Sequence, residues 1–276
     1  MALQGQYDGR GPLAVFGCAW HYRQLIVRLT AREIEGRFRG SLFGKVWAAL
    51  VPLIMLSMYT FVFGVVFRVQ WPGMEGSTLR VAPLYFVGMI LFDFVFECIS
   101  RAPTLLAEHI AYIKKVLFPL EILSWVVVCS AFFRVAVGSG ILLAFYLAIE
   151  GPPPLTALAI PILVMPLALV AVGFVWFLSA VGVFVRDFRH AIMVVAPATM
   201  FLSPIFFPLS SMPEPIRTAL YINPLTFTVE SVRGALFSGV WPNWGALLGY
   251  VAVAWLFAWA GHRWFMAIRG EIADVV

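Results

Sequence analysis

The chain has 276 residues, of which 62% are hydrophobic and only 12% are charged, and its mean hydropathy is +0.93. A soluble domain has about 25% charged residues, so this chain lacks the polar side chains needed to cover a globular surface in water. The composition predicts an all-α integral membrane protein, and the formal net charge of +5 therefore bears on membrane topology rather than on nucleic-acid binding.

The segment before the first long apolar run is basic and shows helical periodicity over residues 20–40. One helical face carries the mostly apolar residues Tyr22, Leu25, Ile26 and Leu29. Another face carries the charged residues Arg28, Arg32, Glu35 and Arg39. This pattern predicts an N-terminal helix at the cytoplasmic membrane interface, whose arginines contact either lipid phosphates or a protein partner. Membrane topology and attraction to anionic lipid together account for most of this charge.

Six apolar segments have the length of about 20 residues that a helix needs to cross a membrane. They cover residues 46–67, 81–100, 122–149, 155–185, 191–210 and 244–264. The fifth segment contains Pro197, Pro204 and Pro208, and each proline removes a backbone donor. We therefore expect the fifth span to be kinked and sheltered by neighbouring helices.

Residues 211–239, between the fifth and sixth spans, are too charged to cross a membrane and too apolar to form a free loop. Asn223 followed by Pro224 is a suitable helix start, and Gly239 is a suitable helix end. We interpret the segment as a re-entrant helical hairpin. An amphipathic hairpin that lies flat on the membrane surface is the alternative.

The basic residues are distributed unevenly between the two sides of the predicted membrane. Fourteen Lys and Arg residues fall on the side that holds both termini, whereas the other side holds four, namely Arg68, Arg80, Arg217 and Arg233. Because positive loops stay in the cytoplasm, both termini are predicted to be cytoplasmic, in a multi-pass protein of the cytoplasmic (inner) membrane.

Charged residues inside the predicted spans are expected to have partners. Asp93 and Glu97 lie one helical turn apart in the second span, and Arg134 lies at comparable depth in the third. Because an unpaired charge in hydrocarbon is costly, we expect an Asp93–Arg134 or a Glu97–Arg134 pair, with a proton relay as the alternative. Glu230 and Arg233 are spaced to pair with each other on one helix.

The sequence contains no recognisable nucleotide or metal motif. Gly40 to Lys45 resembles a P-loop only superficially, because it is one residue short between its glycines and Val46 replaces the required Ser or Thr. The four histidines lie in four separate segments. We therefore expect no cofactor and no enzymatic activity in this chain.

Several motifs, spread in order over nearly the whole chain, resemble the permease subunits of polysaccharide ABC exporters. They are REIEGRFRGSLFGKVWAALVPLIMLSMYTFVFGVVF, IKKVLFPLEIL, VRDFRHAIMVVAPATMFLSPIFFPLSSMPEPIRTALYINPLTFTVESVRG and the C-terminal IADVV. The pattern is most similar to capsule exporters of the KpsM kind and O-antigen exporters of the Wzm kind, and teichoic-acid permeases share much of it.

The resemblance implies a homodimeric channel, each copy of which docks a separate ATP-binding subunit that holds ATP and Mg. The substrate would be a lipid-linked polysaccharide, with capsular polysaccharide the first expectation and O-antigen the second. Residues 103–115 would form the coupling helix that receives force from the ATPase. Besides membrane lipid, a periplasmic polysaccharide co-polymerase or export protein is a further candidate partner.

The resemblance also implies roles for particular residues. The contacts with the ATPase would involve Arg28, Arg32, Glu108, His109, Tyr112 and Lys114. The basic entrance for a lipid phosphate would be formed by Arg37, Arg39 and Lys45. Tyr59 and Phe63, one turn apart in the first span, are candidates to line the sugar path, although packing is the stronger explanation for each of them alone.

Two other classes of protein are compatible with parts of the sequence. An ion-coupled secondary transporter would use Asp93, Glu97 and Arg134, but such folds usually contain internal repeats, and the sequence shows none. A membrane enzyme acting on lipid-linked sugars would need convergent acids or a metal site, which the few polar residues do not supply.

Overall fold

The structure is a computed structural model that describes residues 11–40, 43–67, 71, 78–110, 118–185 and 187–275. All regular elements in these ranges are helical, which confirms the predicted all-α class. In chain order the helices are α1 (Ala14–His21), α2 (Arg23–Phe38), α3 (Trp47–Tyr59), α4 (Thr78–Arg101), α5 (Leu105–Glu108), α6 (Ile122–Ile149), α7 (Ile160–Phe184), α8 (Phe188–Phe201), α9 (Glu214–Leu220), α10 (Pro224–Phe237) and α11 (Trp244–Val275).

Five stretches of helix within the described residues are long and apolar enough to cross a membrane. They are Trp47–Val66, Arg80–Glu108, Ile122–Ile149, Leu155–Phe184 and Trp244–Glu271. The first consists of α3 and a π-helical continuation, Thr60–Val66, and the fourth begins with a 3₁₀ turn, Leu155–Ala159. These five stretches coincide with the first, second, third, fourth and sixth predicted spans.

The fifth predicted span, 191–210, is not one continuous helix. Helix α8 has 14 residues and ends at Phe201, so it is about 21 Å long and shorter than the hydrocarbon core of about 30 Å. Pro204 and Pro208 lie in the non-helical segment that follows, where they cannot supply the backbone donors that a helix requires. The number of full crossings is therefore five by helix length, and six spans remain a prediction.

Residues 211–239 form two helices, α9 and α10, as expected for a helical hairpin. The side chain of Asn223 accepts a hydrogen bond from the backbone N–H of Leu225 at 2.9 Å, and Gly239 has a φ of 62°, which confirms both predicted helix ends. The predicted apolar face of α10 is buried, and α10 contacts both α4 and α7. This packing favours insertion among the long helices over a flat surface position, while its depth in the bilayer remains a prediction.

The core is formed by α4, α6, α7 and α11, and α2 lies against the start of α6. Helices α7 and α11 approach closely where glycines face each other, since a Cβ added to Gly261 would lie 2.5 Å from the carbonyl oxygen of Gly173. The predicted interface helix is divided in two at Tyr22, and Ile26 of α2 is buried against Ile122 and Val126 of α6. The position of α2 beside α4 and α6 determines the site described below.

Candidate functional site

Three helices meet at a cluster of polar side chains, and each helix contributes two residues spaced four apart. They are Glu33 and Arg37 from α2, Glu97 and Arg101 from α4, and Ser130 and Arg134 from α6. Because residues four apart share one face of a helix, each pair presents both side chains to the same junction. We refer to these six residues as the charge cluster.

Two carboxylates in the charge cluster are shared among three guanidinium groups. Glu97, which is only 6% exposed, contacts both Arg37 and Arg134 and lies 3.9 Å from Arg101. Glu33 contacts Arg101, lies 3.3 Å from Arg37 and accepts a hydrogen bond from the hydroxyl of Ser130 at 2.7 Å. A buried carboxylate requires such partners, because removing one of them leaves a charge uncompensated.

A cavity of about 240 Å³ lies beside the charge cluster, between the end of α2 and helices α3, α4 and α6. Arg37, Arg134, Asp93 and Tyr59 supply its polar wall, and the remaining lining is apolar: Phe38, Trp47, Ala48, Val51, Pro52, Met55, Phe86, Met89, Ile90, Phe94, Ala131, Val135 and Gly138. We call it the amphipathic cavity. Its composition suits a ligand with an anionic end and an apolar body.

The amphipathic cavity brings together four of the residues singled out in the sequence. Arg37, Tyr59, Asp93 and Arg134 all line it. Of the two ion pairs expected for Arg134, the structure contains the contact with Glu97, whereas Asp93 lines the cavity one turn away.

A second concavity, of about 350 Å³, lies on the other side of Glu33. It is lined by Leu29, Arg32, Glu33, Glu108, His109, Leu123 and Val126, and we call it the interface groove. The structure thus places Arg32, Glu108 and His109 around one groove, with His109 Nδ1 2.8 Å from the carbonyl oxygen of Leu105. Arg28 is exposed one turn earlier on α2, whereas Tyr112 and Lys114 lie outside the described residues.

The segment that follows α4 is in close contact with α7. A 3₁₀ turn, Ala102–Thr104, leads into α5, and Pro103, Leu105 and Leu106 are buried. A Cβ added to Gly182 of α7 would lie 2.4 Å from the carbonyl oxygen of Pro103, so only glycine permits this approach. This is the described part of the predicted coupling helix 103–115; residues 111–117 lie outside the described ranges.

Two further predicted site residues, Arg39 and Phe63, are not among the residues that line the amphipathic cavity. Arg39 is exposed just beyond the end of α2, and the side chain of Lys45 lies outside the described part of the chain. The ring of Phe63 stacks on Tyr85 with centroids 4.2 Å apart and on Phe206 at 5.5 Å. Phe63 thus packs among aromatic rings, and its centroid is 6.3 Å from that of Tyr59, which does line the cavity.

Arg233 of α10 is a buried residue whose role the sequence did not indicate beyond a pair with Glu230. It is 5% exposed, and all five of its N–H donors have acceptors. Nε and Nη2 donate to the carbonyl oxygen of Leu84, Nη2 also donates to that of Ile205, and Nη1 donates to that of Pro204 and to Glu230. A single arginine on the apolar face of α10 was the signal available in the sequence.

Comparison with known families assigns this architecture. The family model described as ABC-2 type transporter matches residues 24–237, which include α2 to α10 and both concavities. The chain belongs to the ABC-2 type transporter family. Members of this family are multi-pass membrane permeases that work with an ATP-binding cassette partner, so the five apolar stretches of this ABC-2 transporter are membrane helices.

Three curated relatives of this ABC-2 transporter are named O-antigen export system permease protein RfbA. The Myxococcus xanthus protein is 24% identical over 260 residues, which cover 93% of this chain and 97% of the relative. Two Klebsiella pneumoniae proteins are each 24% identical, over 218 and 217 residues, covering 78% of this chain and 81% of each relative. In each comparison the similarity therefore extends over most of the length of both proteins.

The polar groups of the candidate site are mainly guanidinium groups and carboxylates. No group of three or more His, Cys, Asp or Glu side chains within the described residues of this ABC-2 transporter could hold a metal ion. The cluster contains three guanidinium groups and two carboxylates, and Arg37 and Arg134 also reach the amphipathic cavity. Guanidinium groups bind phosphates well because their donors match phosphate oxygens in pairs.

Proposed function

We propose that this ABC-2 transporter is the channel-forming permease subunit of an ATP-driven exporter that moves lipid-linked polysaccharide across the cytoplasmic membrane. In this proposal two copies form the channel, each copy docks a separate ATP-binding subunit, and both termini are cytoplasmic. The observation that carries the proposal is the family match over α2 to α10. The names of the relatives favour O-antigen over the capsular polysaccharide that the sequence placed first.

The interface groove and the amphipathic cavity have separate roles in this proposal. The interface groove, which is lined by Arg32, Glu108 and His109, contacts the ATP-binding subunit. The amphipathic cavity receives the phosphate end of the lipid anchor at Arg37 and Arg134, and its apolar wall contacts the hydrocarbon. The arginines thus select a lipid phosphate, and the sugar chain follows it into the channel.

The proposal predicts that the purified chain carries a stoichiometric ATP-binding subunit and that export depends on ATP. Isolation of the tagged chain from its native membrane, with export assayed in vesicles with and without ATP, tests both points.

An ion-coupled transporter would behave differently. It would purify without an ATPase, would stop when the proton gradient is collapsed, and would lose transport in Asp93→Asn. That set of results would disprove the exporter.

We expect Arg37→Gln to reduce lipid-phosphate binding and export about tenfold or more, and Arg39→Gln to have a smaller effect. A hydrogen bond to a charged group contributes about 1.5–3 kcal/mol, and only Arg37 of the two lines the amphipathic cavity. Binding of a polyprenyl phosphate and export by vesicles are the measurements.

Arg23→Gln is the matched control, since it removes the same charge from an exposed position on the same helix. Membrane insertion should be unchanged in all three variants. If the Arg37→Gln and Arg39→Gln double variant exported at the normal rate, these arginines would have no role in binding a lipid phosphate.

A further inference from the structure

We infer that Glu97 is a coupling residue, which transmits occupancy of the amphipathic cavity to the interface groove by exchanging its arginine partners. The inference rests on the proposed function and adds to it a means by which the bound substrate stimulates the ATPase. It assigns to Glu97 a positioning role, because its described contacts are with arginines that line the cavity or adjoin the groove. Three observations support it.

The first observation is that two arginines serve both Glu97 and the cavity. Arg37 and Arg134 each contact the Glu97 carboxylate, and each also lines the amphipathic cavity. A phosphate in that cavity therefore competes with Glu97 for the same guanidinium groups. Asp93 lines the same cavity and repels an anion, so the ligand must draw both arginines toward itself to be held.

The second observation is that the other carboxylate of the charge cluster belongs to the groove. Glu33 lines the interface groove and is held by Arg37, Arg101 and Ser130. Arg101 is the last residue of α4 and is followed directly by the segment that brings Glu108 and His109 to the same groove. The Glu33–Arg101 contact thus joins the two walls of the groove.

The third observation is that Arg101 has two carboxylates within reach. It contacts Glu33, and its Nη1 lies 3.9 Å from the nearer oxygen of Glu97. When a phosphate draws Arg37 and Arg134 away, the buried Glu97 needs a new cation, and Arg101 is the adjacent one. Movement of Arg101 from Glu33 to Glu97 loosens α2 from the end of α4 and changes the shape of the groove.

This exchange provides two discrete arrangements of the same side chains. In one arrangement, which the structure shows, Arg101 holds Glu33 and the arginines of the cavity hold Glu97. In the occupied arrangement the arginines of the cavity hold phosphate and Arg101 holds Glu97. A ligand that binds one arrangement better than the other shifts the population between them, which is what coupling between two sites requires.

The test uses the complete complex of permease and ATP-binding subunit in phosphatidylcholine vesicles, with a polyprenyl diphosphate as the probe. In the wild-type complex we expect the probe to stimulate ATP hydrolysis several-fold. In Glu97→Gln the basal ATPase rate should stay within about twofold of the wild type, and the stimulation should be lost. The probe should bind at least as tightly as in the wild type, because Glu97 no longer competes for Arg37 and Arg134. Glu97→Asp, which keeps the charge, should restore part of the stimulation, whereas a residue needed only for folding would lower the basal rate.

Glu150→Gln is the matched control. Glu150 contacts Arg80 at the far end of α6, so the variant removes an equivalent carboxylate from an arginine pair away from the charge cluster. It should retain full stimulation. Full stimulation in Glu97→Gln would overturn the inference and leave the proposed function standing. A wild-type complex that neither binds nor responds to the probe would overturn the lipid-phosphate site, and this inference with it.

A second measurement does not depend on the folding of Glu97→Gln. Spin labels at exposed positions 31 of α2 and 107 of α5, introduced by Ala31→Cys and Ala107→Cys, report the separation of the two walls of the groove. We expect the probe to change the distance between the labels by a few ångströms in the otherwise wild-type complex. An unchanged distance with the probe bound would overturn the inference.

Discussion

Arg233→Met is expected to destabilise the protein by about 3–5 kcal/mol and to abolish export. Methionine replaces the aliphatic part of the arginine side chain and has no donors. The carbonyl oxygens of Leu84, Pro204 and Ile205 would therefore lose their hydrogen bonds to the guanidinium, and Glu230 would lose its contact with Arg233. Breaking a buried charge pair by removing one partner typically costs this much. The carbonyl groups add to the cost, because unpaired backbone groups are expensive where water is absent.

The location of Arg233 explains why one side chain matters so much. The chain leaves helical geometry after Phe201, and prolines at 204 and 208 prevent it from resuming. Non-helical backbone among membrane helices is tolerated only where other protein groups satisfy it. Arg233 of α10 supplies the donors for the carbonyl oxygens of Pro204 and Ile205 in this non-helical segment. It also donates to the carbonyl oxygen of Leu84, and so connects the segment after α8 to α4.

Thermal unfolding of the detergent-solubilised protein, together with export in vesicles, would test the expected loss. Arg233→Lys should recover little of the lost stability. An ammonium group has three N–H donors and cannot reproduce the five planar N–H donors of the guanidinium group. Arg80→Met is the matched control: Arg80 is 48% exposed and its described partner is a single carboxylate, Glu150. If Arg233→Met unfolded at the same temperature as Arg80→Met, Arg233 would not hold the broken helix.

Sequence reasoning identified the charged residues of the second and third spans but not which of them would pair. Asp93 and Glu97 are one turn apart on the same face of α4, so both are candidates for Arg134. The choice depends on the height at which α4 crosses α6, and the sequence holds no measure of that height. Arg101 was counted as a topological charge. Its role follows from α2 lying against α6, which is a tertiary contact between distant parts of the chain.

The basic residues at the end of α2 and just after it also show what the sequence could not predict. Arg37, Arg39 and Lys45 are close in sequence and were predicted to form one basic entrance. Helix α2 ends at Phe38, Arg39 is extended, and Gly40 takes a φ of 79°, so the chain turns between Arg37 and the residues that follow. Arg37 reaches the cavity from the last turn of α2, whereas Arg39 is exposed beyond the end of the helix, and a shared basic entrance remains a prediction.

Helix ends were easier to predict when a local signal determined them. Asn223, Pro224 and Gly239 act through their own backbone preferences, and α10 begins and ends where these residues predict. The three prolines of the fifth span predicted a break as well. The last residue of α8 was not predictable from the sequence. Its position depends on the hydrogen bonds that Arg233 of α10 donates to the carbonyl oxygens of Pro204 and Ile205 after α8.

Gly182→Ala is expected to uncouple ATP hydrolysis from export by at least tenfold, while the complex still assembles. The added Cβ would lie 2.4 Å from the carbonyl oxygen of Pro103 and 2.5 Å from its Cα, far closer than ordinary contact. Both of these atoms belong to the backbone, so the segment 102–108 must move by on the order of 1 Å, at a cost of about 1–3 kcal/mol. That segment carries Glu108 and His109 to the interface groove, so its displacement changes the contact through which the ATPase acts.

The amount of substrate exported per ATP hydrolysed is the measurement that separates Gly182→Ala from a general loss of folding. Gly249→Ala on α11 is the matched control, since it makes the same chemical change where a Cβ meets no atom within 4 Å. Both changes favour helix by a similar amount, so a difference between them reports the Pro103 contact alone. Equal export per ATP in the two variants would show that force does not pass from the 102–108 segment to α7 through this contact. A lower ratio in Gly182→Ala, with ATPase activity retained, would identify the glycine as the point where the segment transmits its motion to the membrane helices.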